Sequence, residues 1–315
     1  MTGGRDAQSD TDGNGPVGPR RYLVPLDGSP LAEQALVPAL CLARATGGEI
    51  TLVHVTEPAP RRPQPPAGSG TEYLSRVIER LPDDLALRPL VHTGDPVSEI
   101  LGAALDGPPA IIVMATHGRS GADRLLFGSV ADRVVRRATV PVVVVRAGMC
   151  LQEHGLRQLL VPLDGSELAE AALPPALGLL GGEASLRLVR VVDGSAGRGS
   201  LGFGLGALMH GSELAAELTE AAVLEARDHL NALSERLRLR GVRVGWEIRH
   251  GRASDEIIRT AETTGADLIA MATHGEGGWR RWAFGSVTDQ VLHRSSVPVM
   301  VIPPGAGAPP GPLPT

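Results

Sequence analysis

Short apolar runs, separated by stretches with the periodicity of amphipathic helices, recur through most of the chain. The clearest runs in the first half are YLVPL, EITLVHV, IIVMA and VPVVVV. Continuous apolar runs are typical of strands buried on both faces, and helices between them indicate parallel strands joined by right-handed crossovers. The pattern of the first half therefore predicts the order βαβαβαβαβ.

The helices between these runs have recognisable ends. After the first strand, Pro30 opens a helical pattern that stops at Gly47 and Gly48. Pro38 lies inside this pattern and predicts a kink, because proline cannot donate the backbone hydrogen bond of a helix interior. A later helix is predicted over Pro96–Leu105.

The second half of the chain repeats the first. RQLLVPLDGS matches RRYLVPLDGS, and the segment AIIVMATHG with its following helix and strand returns as LIAMATHGE. Asp164 follows Asp27 by 137 residues (164 − 27), whereas Gly275 follows Gly118 by 157 residues (275 − 118). The second half therefore carries 20 additional residues (157 − 137) between its second and third strands.

These additional residues include a glycine-rich stretch, 194–206, and part of a long amphipathic helix predicted from Glu213 to Arg240. We interpret the glycine-rich stretch as a simple loop, with a flexible lid as the alternative. The repeat predicts two tandem Rossmann-like domains of the α/β class, each an open five-stranded parallel sheet of order 3-2-1-4-5 with helices on both faces. The expected boundaries are a disordered tail 1–20, domain 21–147, linker 148–156, domain 157–303 and a disordered tail 304–315.

Composition narrows the class of protein. The formal net charge is −5, which does not favour a general affinity for nucleic acid or an anionic membrane. Aromatic residues make up 3%, too few for a platform that stacks single-stranded bases. Two cysteines, Cys41 and Cys150, make no disulfide framework, and neither a bilayer-spanning run nor a signal peptide is expected. We therefore expect a cytoplasmic protein.

A ligand site is predicted where the strand order reverses. In a sheet of order 3-2-1-4-5, the ends of the first and fourth strands are neighbours, which brings Asp27 close to the loop that follows Ala115. The helix after that loop begins at Ser129, so its first backbone amides are free to donate to an anion. We interpret this helix start as a phosphate cradle, present once in each half.

Structural roles explain several of the same residues. The spacing Ser-x-x-Asp, in Ser129 to Asp132 and Ser286 to Asp289, is a variant capping box, and capping alone would account for each serine. The sequence Asp-Gly-Ser after each first strand is a common turn in which the carboxylate bonds its own backbone. A contact with the ribose or adenine of a nucleotide is the alternative for Asp27.

The histidines and arginines of the two glycine loops carry less information. His117 and His274 are interpreted as loop residues, because no partner nucleophile is evident. The histidine spacing does not fit a zinc site. Arginines in or beside the loops either reach phosphates or form a solvated face: Arg119, Arg124, Arg280 and Arg281.

Several catalytic signatures are missing from the sequence: G-x-x-x-x-G-K-[ST], G-x-G-x-x-G after the first strand, G-x-S-x-G and H-E-x-x-H. Without a phosphate-binding lysine or a water-positioning acid, efficient phosphoryl transfer lacks its usual groups. The residues therefore support binding better than turnover.

The chain resembles the universal stress protein family in a tandem two-domain form, over residues 21–146 and 157–303. Nucleotide-binding members of that family carry the motif G-x2-G-x9-G-[ST]. An alanine replaces the first glycine in both copies here, which read Ala115-x2-Gly118-x9-Gly128-Ser129 and Ala272-x2-Gly275-x9-Gly285-Ser286.

The resemblance implies two sets of ATP-binding residues. In the first domain the adenosine would contact Pro25, Asp27, Val55, Met114 and Ala115, and the phosphates Gly118, Gly128, Ser129, Val130 and Ala131. In the second domain the corresponding residues are Pro162, Asp164, Val191, Met271 and Ala272, then Gly275, Gly285, Ser286, Val287 and Thr288. Glu276 replaces Arg119 in the second copy, so a weaker second site is expected.

By the same resemblance, the function is that of an ATP-binding stress-response regulator that acts by nucleotide occupancy, with any Mg²⁺ held by the phosphates rather than by protein ligands. The alternatives are a slow ATPase, with Ser129 and His117 as the suspects, and a nucleotide-free interaction module whose pockets are closed by Ala115 and Ala272. Family members commonly dimerise through their last strands. The two domains are therefore expected to pair with each other through VPVVVV and VPVMVI, with a homodimer as the further alternative.

Overall fold

A computed structural model describes residues 21–56, 69–108, 110–116, 128–146, 148–149, 155–192, 213–273 and 285–306, without the side chains of 213–216. The glycine-rich stretch 194–206, Cys150 and nearly all of the two tails lie outside these residues. So do both glycine loops, with residues 117–127 and 274–284. The predictions that fall there concern His117, Gly118, Arg119, Arg124, His274, Gly275, Glu276, Arg280 and Arg281.

The first half alternates strands with helices in the predicted order. Its strands are β1 Arg21–Pro25, β2 Glu49–Thr56, β3 Leu87–Thr93, β4 Ala110–Thr116 and β5 Val142–Arg146. Its helices are a 3₁₀ turn Ala32–Ala35, α1 Leu36–Thr46, α2 Gly70–Ile78, α3 Pro96–Leu105 and α4 Ser129–Arg137.

The second half follows the same plan. Its strands are β6 Gln158–Leu163, β7 Ser185–Val192, β8 Val244–His250, β9 Leu268–Ala272 and β10 Val299–Ile302. Its helices are α5 Glu167–Glu170, α6 Leu173–Leu177, α7 Glu213–Arg238, α8 Ala253–Thr264 and α9 Ser286–Arg294. The 26-residue helix α7 is the counterpart of the nine-residue α2, and it ends two residues before the predicted Arg240.

The strands of the described residues form one ten-stranded sheet of order β3-β2-β1-β4-β5-β10-β9-β6-β7-β8. Each half therefore has the order 3-2-1-4-5, and its strands are parallel. The two five-stranded sheets are joined edge to edge, because β5 and β10 pair antiparallel with Val143 opposite Met300. This is the pairing of the last strands that the sequence predicts, and it covers two apolar edges that would otherwise be exposed.

Apolar clusters cover both faces of the sheet. Tyr22, Leu42 and Leu159 belong to one cluster, which draws residues from both halves, and all three side chains are fully buried. A second cluster on the opposite face includes Met114 and Met271. Within the described ranges, no helix is both long enough and apolar enough to cross a bilayer.

Pro38 does not kink the interior of a helix. The predicted helix is divided into a 3₁₀ turn and α1, and Pro38 lies in the first turn of α1, where its missing N–H is not needed for an intrahelical bond. The helix ends at Gly47, whose φ of 68° is left-handed, and the Gly48 amide donates to the Ala43 carbonyl. The sequence prediction of the helix stop is therefore confirmed.

Candidate functional site

The first turn of α4 has no side-chain cap. Gly128 is the N-cap residue, and Ser129 occupies the first helical position. The Asp132 amide donates to the Gly128 carbonyl, and the Asp132 carboxylate accepts from Arg136 Nε at 2.8 Å. The capping-box interpretation of Ser129 is therefore wrong, because that serine lies inside the helix.

The first turn of α9 has the same arrangement. Gly285 is the N-cap residue without a side-chain cap, and the Asp289 amide donates to its carbonyl. Among the described residues, no acceptor is found for the amides of the first three positions of either helix, which are Ser129, Val130, Ala131, Ser286, Val287 and Thr288. Within the described ranges these amides are therefore available as donors at the positive end of a helix dipole.

Three other helices, α2, α3 and α5, have side-chain caps, whereas α1, α6 and α8 also lack one. Ser69 accepts from the third amide of α2, Asp95 from that of α3 and Ser166 from that of α5. The uncapped starts of α4 and α9 therefore differ from the starts of these helices, and the difference is the same in both halves.

Both uncapped starts lie at the edge of the sheet where the strand order reverses. β1 pairs with β2 on one side and β4 on the other, so the turn after β1 and the end of β4 are neighbours. In the second half the Gly285 amide donates to the Thr273 carbonyl at 2.9 Å, and Thr288 Oγ1 donates to the Ala272 carbonyl at 3.1 Å. These two bonds hold the start of α9 at the end of β9.

Gly285 also has a steric role. A Cβ atom at this position would lie 3.3 Å from the Thr273 carbonyl oxygen, closer than an ordinary contact. The backbone of the N-cap residue therefore approaches the end of β9 more closely than most side chains allow.

In the turn after β1, Asp27 has the structural role that the sequence analysis describes for an Asp-Gly-Ser turn. Asp27 Oδ1 accepts from the Ser29 amide at 2.9 Å and from the Ser29 hydroxyl at 2.6 Å. The hydroxyl in turn accepts from the Ala32 amide. Gly28 between them has a φ of 84°, which a side chain would strain. The Asp27 side chain remains exposed at the reversal point.

The turn after β6 has the same hydrogen bonds as the turn after β1. Asp164 Oδ1 accepts from the Ser166 amide at 2.9 Å and from its hydroxyl at 2.6 Å, and Ala169 donates to that hydroxyl. Gly165 has a φ of 90°. Identical bonds in both halves confirm that the aspartate shapes the turn, and they leave its exposed carboxylate beside the strand ends.

The apolar residues expected to line each pocket share one cluster. Val55, Met114 and Val130 all belong to the apolar cluster on one face of the sheet in the first half. Val191, Met271 and Val287 belong to the same cluster in the second. Pro25 is half-buried, whereas Pro162 is buried. The fold thus brings together residues that are up to 75 positions apart in the first half (130 − 55).

Ala115 packs on the other face. It joins the cluster of Val113, Val143 and Val145, because side chains alternate along a strand and Ala115 follows Met114. Ala272 is one residue beyond Met271 and follows the same alternation on β9. The methyl groups that replace the family's first glycine therefore do not point into the face that carries Met114 and Met271.

Arg133 is a site neighbour that the sequence interpretation missed. Its Nε donates to the Ser129 carbonyl at 3.3 Å, and its Nη2 lies 3.8 Å from Asp95 Oδ1. Donation from the Ser98 amide, then from the Ser98 hydroxyl, lowers the pKa of Asp95, and Arg133 adds to the effect. The signal was available, since Arg133 follows Ser129 by four residues and such pairs share a helix face.

Known proteins share the sequence pattern and the fold of this chain. The sequence profile of the universal stress protein family matches the chain twice, over residues 19–146 and 155–303. A universal stress protein of Methanocaldococcus jannaschii is 30% identical over 142 residues, which are 40% of this chain and 82% of the relative. One from Mycobacterium tuberculosis is 29% identical over 203 residues, and the match spans 61% of each chain.

The fold is also found in a solved structure. A universal stress protein of Archaeoglobus fulgidus covers 91% of this chain and 99% of its own, with a TM-score of 0.64 and 22% identity. The two profile matches cover both halves that share the uncapped helix starts and the Asp-Gly-Ser turns. The chain belongs to the universal stress protein family, with two such domains in tandem.

Proposed function

We propose that each half binds an adenine nucleotide, with ATP as the ligand, and that the protein acts as a stress-response regulator in the cytoplasm through occupancy of these sites. The observation that carries the proposal is the pair of uncapped helix starts. Three amides at each start have no acceptor among the described residues, and each start lies at the edge where the sheet reverses its strand order. An anion is the ligand that such a group of donors accepts best.

The remaining residues of each site fit a nucleoside attached to that anion. Val55 and Met114 offer an apolar surface to the adenine, and the exposed Asp27 carboxylate offers acceptors to the ribose hydroxyls. Val191, Met271 and Asp164 do the same in the second half. Any Mg²⁺ would be held by the phosphates. Gly118 and Gly275 complete the motif but lie outside the described residues.

A proline substitution tests the amide donors directly. Gly128 has φ −59° and ψ 145°, which suits the residue before a proline, and proline is favoured at the first position of a helix. Ser129→Pro therefore removes one donor while it keeps the helix. Ser129→Ala is the matched control, because it removes the hydroxyl and leaves the amide.

Calorimetric titration of the full chain with ATP measures the effect. We expect two sites in the wild type and a weaker first site in Ser129→Pro, by about 10- to 100-fold for one hydrogen bond to a charged group. Gly285 has nearly the same dihedral angles, so Ser286→Pro and Ser286→Ala repeat the test in the second half. Equal ATP affinity in the proline and alanine variants would contradict the proposal.

The same titration distinguishes a protein that only binds ATP from one that hydrolyses it. Steady release of ADP during the titration would favour the slow ATPase. A chain that binds neither ATP, ADP nor AMP would favour the nucleotide-free interaction module.

A further inference from the structure

The sheet of the described residues has two outer edges, β3 and β8, because β5 and β10 cover each other. Next to β3, the Ile50 amide of β2 donates to the Ala86 carbonyl. In a parallel ladder this bond means that even-numbered residues of β3 face β2 and odd-numbered residues face outward. Pro89 is one of the outward residues, and it has no N–H to donate. A further strand therefore cannot form a continuous ladder on β3.

The outer edge of β8 contains no proline. The Leu186 amide of β7 donates to the Arg243 carbonyl, so odd-numbered residues of β8 face β7 and even-numbered residues face outward. Among the described residues, no backbone partner is found for the outward groups of three residues, which are Trp246, Ile248 and His250. The β8 edge is therefore able to accept another strand.

Side chains of opposite charge lie along this edge. Trp246 and Ile248 pack against the apolar cluster that includes Leu230 of α7, so Glu247 and Arg249 lie on the opposite face of the sheet. Arg249 Nη2 lies 2.6 Å from Glu247 Oε2, and the two side chains remain 35% and 21% exposed. The edge thus carries one charge of each sign, two residues apart, within reach of a neighbouring molecule.

We propose that the β8 edge is a homodimer interface, in which a second copy of the chain adds its own β8 antiparallel about a twofold axis at Ile248. Ile248 then faces itself, and Trp246 faces His250 of the second copy, so the outward backbone groups bond in pairs. In the same register Glu247 lies opposite Arg249 of the second copy (247 + 249 = 2 × 248), and symmetry provides the reverse pair. Opposite charges at directly facing positions stabilise a pair of strands.

Neighbouring registers are less favourable. A twofold axis at Glu247 would place this glutamate opposite itself, and an axis at Arg249 would do the same for the arginine. Like charges at facing positions destabilise a strand pair. An axis at Trp246 would require the Val244 carbonyl, which already accepts from Arg238 Nη2 at 3.2 Å. The charges and the backbone groups therefore both select the axis at Ile248.

The second copy joins through the same edge rather than through β3. Trp246 is the equivalent of Pro89, since the two are separated by the offset of the repeat (246 − 89 = 157). The repeat therefore has proline on the closed edge and an aromatic residue on the open one. A pair of identical edges forms a closed dimer, whereas pairing of β8 with β3 would continue into a filament. The dimer requires no nucleotide, so a failure of ATP binding would leave it unaffected.

Sedimentation velocity of the full chain, over a range of protein concentrations, tests the interface. We expect a reversible equilibrium between monomer and dimer in the wild type. Ile248→Pro removes the outward amide at the axis from each copy and leaves the bonds to β7 in place. Ile248→Ala is the matched control, because it loses the same side-chain packing and keeps the amide. The dimer Kd should be about 10- to 100-fold higher in the proline variant than in the alanine variant. Equal values would overturn the interface.

Charge reversal tests the register, even if Ile248→Pro does not fold. Glu247→Arg and Arg249→Glu each place like charges opposite one another, so each variant alone should have a dimer Kd at least about tenfold higher than the wild type. An equimolar mixture of the two variants restores opposite charges in both pairs and should dimerise again. The ion pair within one chain cannot explain this recovery, because each chain in the mixture still carries two like charges.

Hydrogen exchange provides a second readout. The amides of Trp246 and Ile248 should gain protection as the protein concentration rises. Protection that is already complete in the monomer would show that another segment of the same chain covers the edge, and it would overturn the inference. A wild type that remains monomeric at every concentration would do the same, as would a mixture of the two charge variants that remains monomeric.

Discussion

A Cβ atom on Gly181 would lie 2.3 Å from the carbonyl oxygen of Ala45, so the backbone after α6 packs directly against α1 of the other half. This contact supplements the antiparallel pairing of β5 with β10. The two halves are therefore joined both through the sheet and through packing on one of its faces, as one structural unit.

Gly181→Ala should destabilise this unit. No side chain can occupy 2.3 Å from a carbonyl oxygen, so α1 and α6 must separate, at a cost of about 1–3 kcal/mol typical of overpacking. Urea unfolding of the full chain measures the loss. Gly102→Ala is the control, since open space surrounds that helical position and alanine should stabilise α3 by up to about 1 kcal/mol. Equal changes in the free energy of unfolding for the two variants would contradict the close contact between Gly181 and Ala45.

Asp95→Asn should lower the melting temperature more at pH 7 than at pH 3. Donation from Ser98 lowers the pKa of Asp95 in the folded chain. A lowered pKa means that the stabilisation is complete above the ordinary aspartate pKa of about 3.9 and is lost as the pH falls through the folded value. Asparagine still caps a helix, so the comparison isolates the charge. A difference in melting temperature that persists unchanged at pH 3 would refute this account.

Asp27→Asn should distinguish the role of this side chain in the turn from its role in ligand binding. The asparagine oxygen can replace Oδ1 as the acceptor from Ser29, so the free energy of unfolding should change little. Ribose contact would lose a charged acceptor, and we expect about a tenfold weaker first site by calorimetry, within the usual range for hydrogen bonds to charged groups. Asp164→Asn repeats the comparison in the second half. Large destabilisation without any change in affinity would assign the aspartate to the turn alone.

Nucleotide should raise the thermal stability of the wild type. Ligand at about 100 times its Kd adds roughly 2.7 kcal/mol to the free energy of unfolding for each site. The double variant Ser129→Pro, Ser286→Pro should lose most of this gain, and the double alanine variant should keep it. Differential scanning fluorimetry with ATP, ADP and AMP makes the measurement. An ATP-induced shift of the same size in both double variants would show that the helix starts are not the site.

Much of the site was predictable because it depends on local sequence. The turn around Asp27 and the helix start at Ser129 each involve residues within a few positions of one another, so the residue types alone indicate them. The parallel strands with crossover helices followed from the apolar runs and the helices between them. The alternative of a capping role for Ser129 does not hold because Gly128, one residue earlier, takes the N-cap position, and a sequence pattern does not resolve a shift of one residue.

The rest depended on contacts between residues far apart in the chain. Sequence alone determined that there are two similar α/β halves, with an anion-binding pattern in each. The tertiary structure decided the antiparallel register of β5 on β10, with Val143 opposite Met300, and that Ala115 faces away from Met114. It also decided that His229 Nε2 lies 2.7 Å from Glu170 Oε1. Local patterns are set by the period of each strand or helix, whereas these contacts join residues up to 157 positions apart (300 − 143), and packing in three dimensions alone selects them.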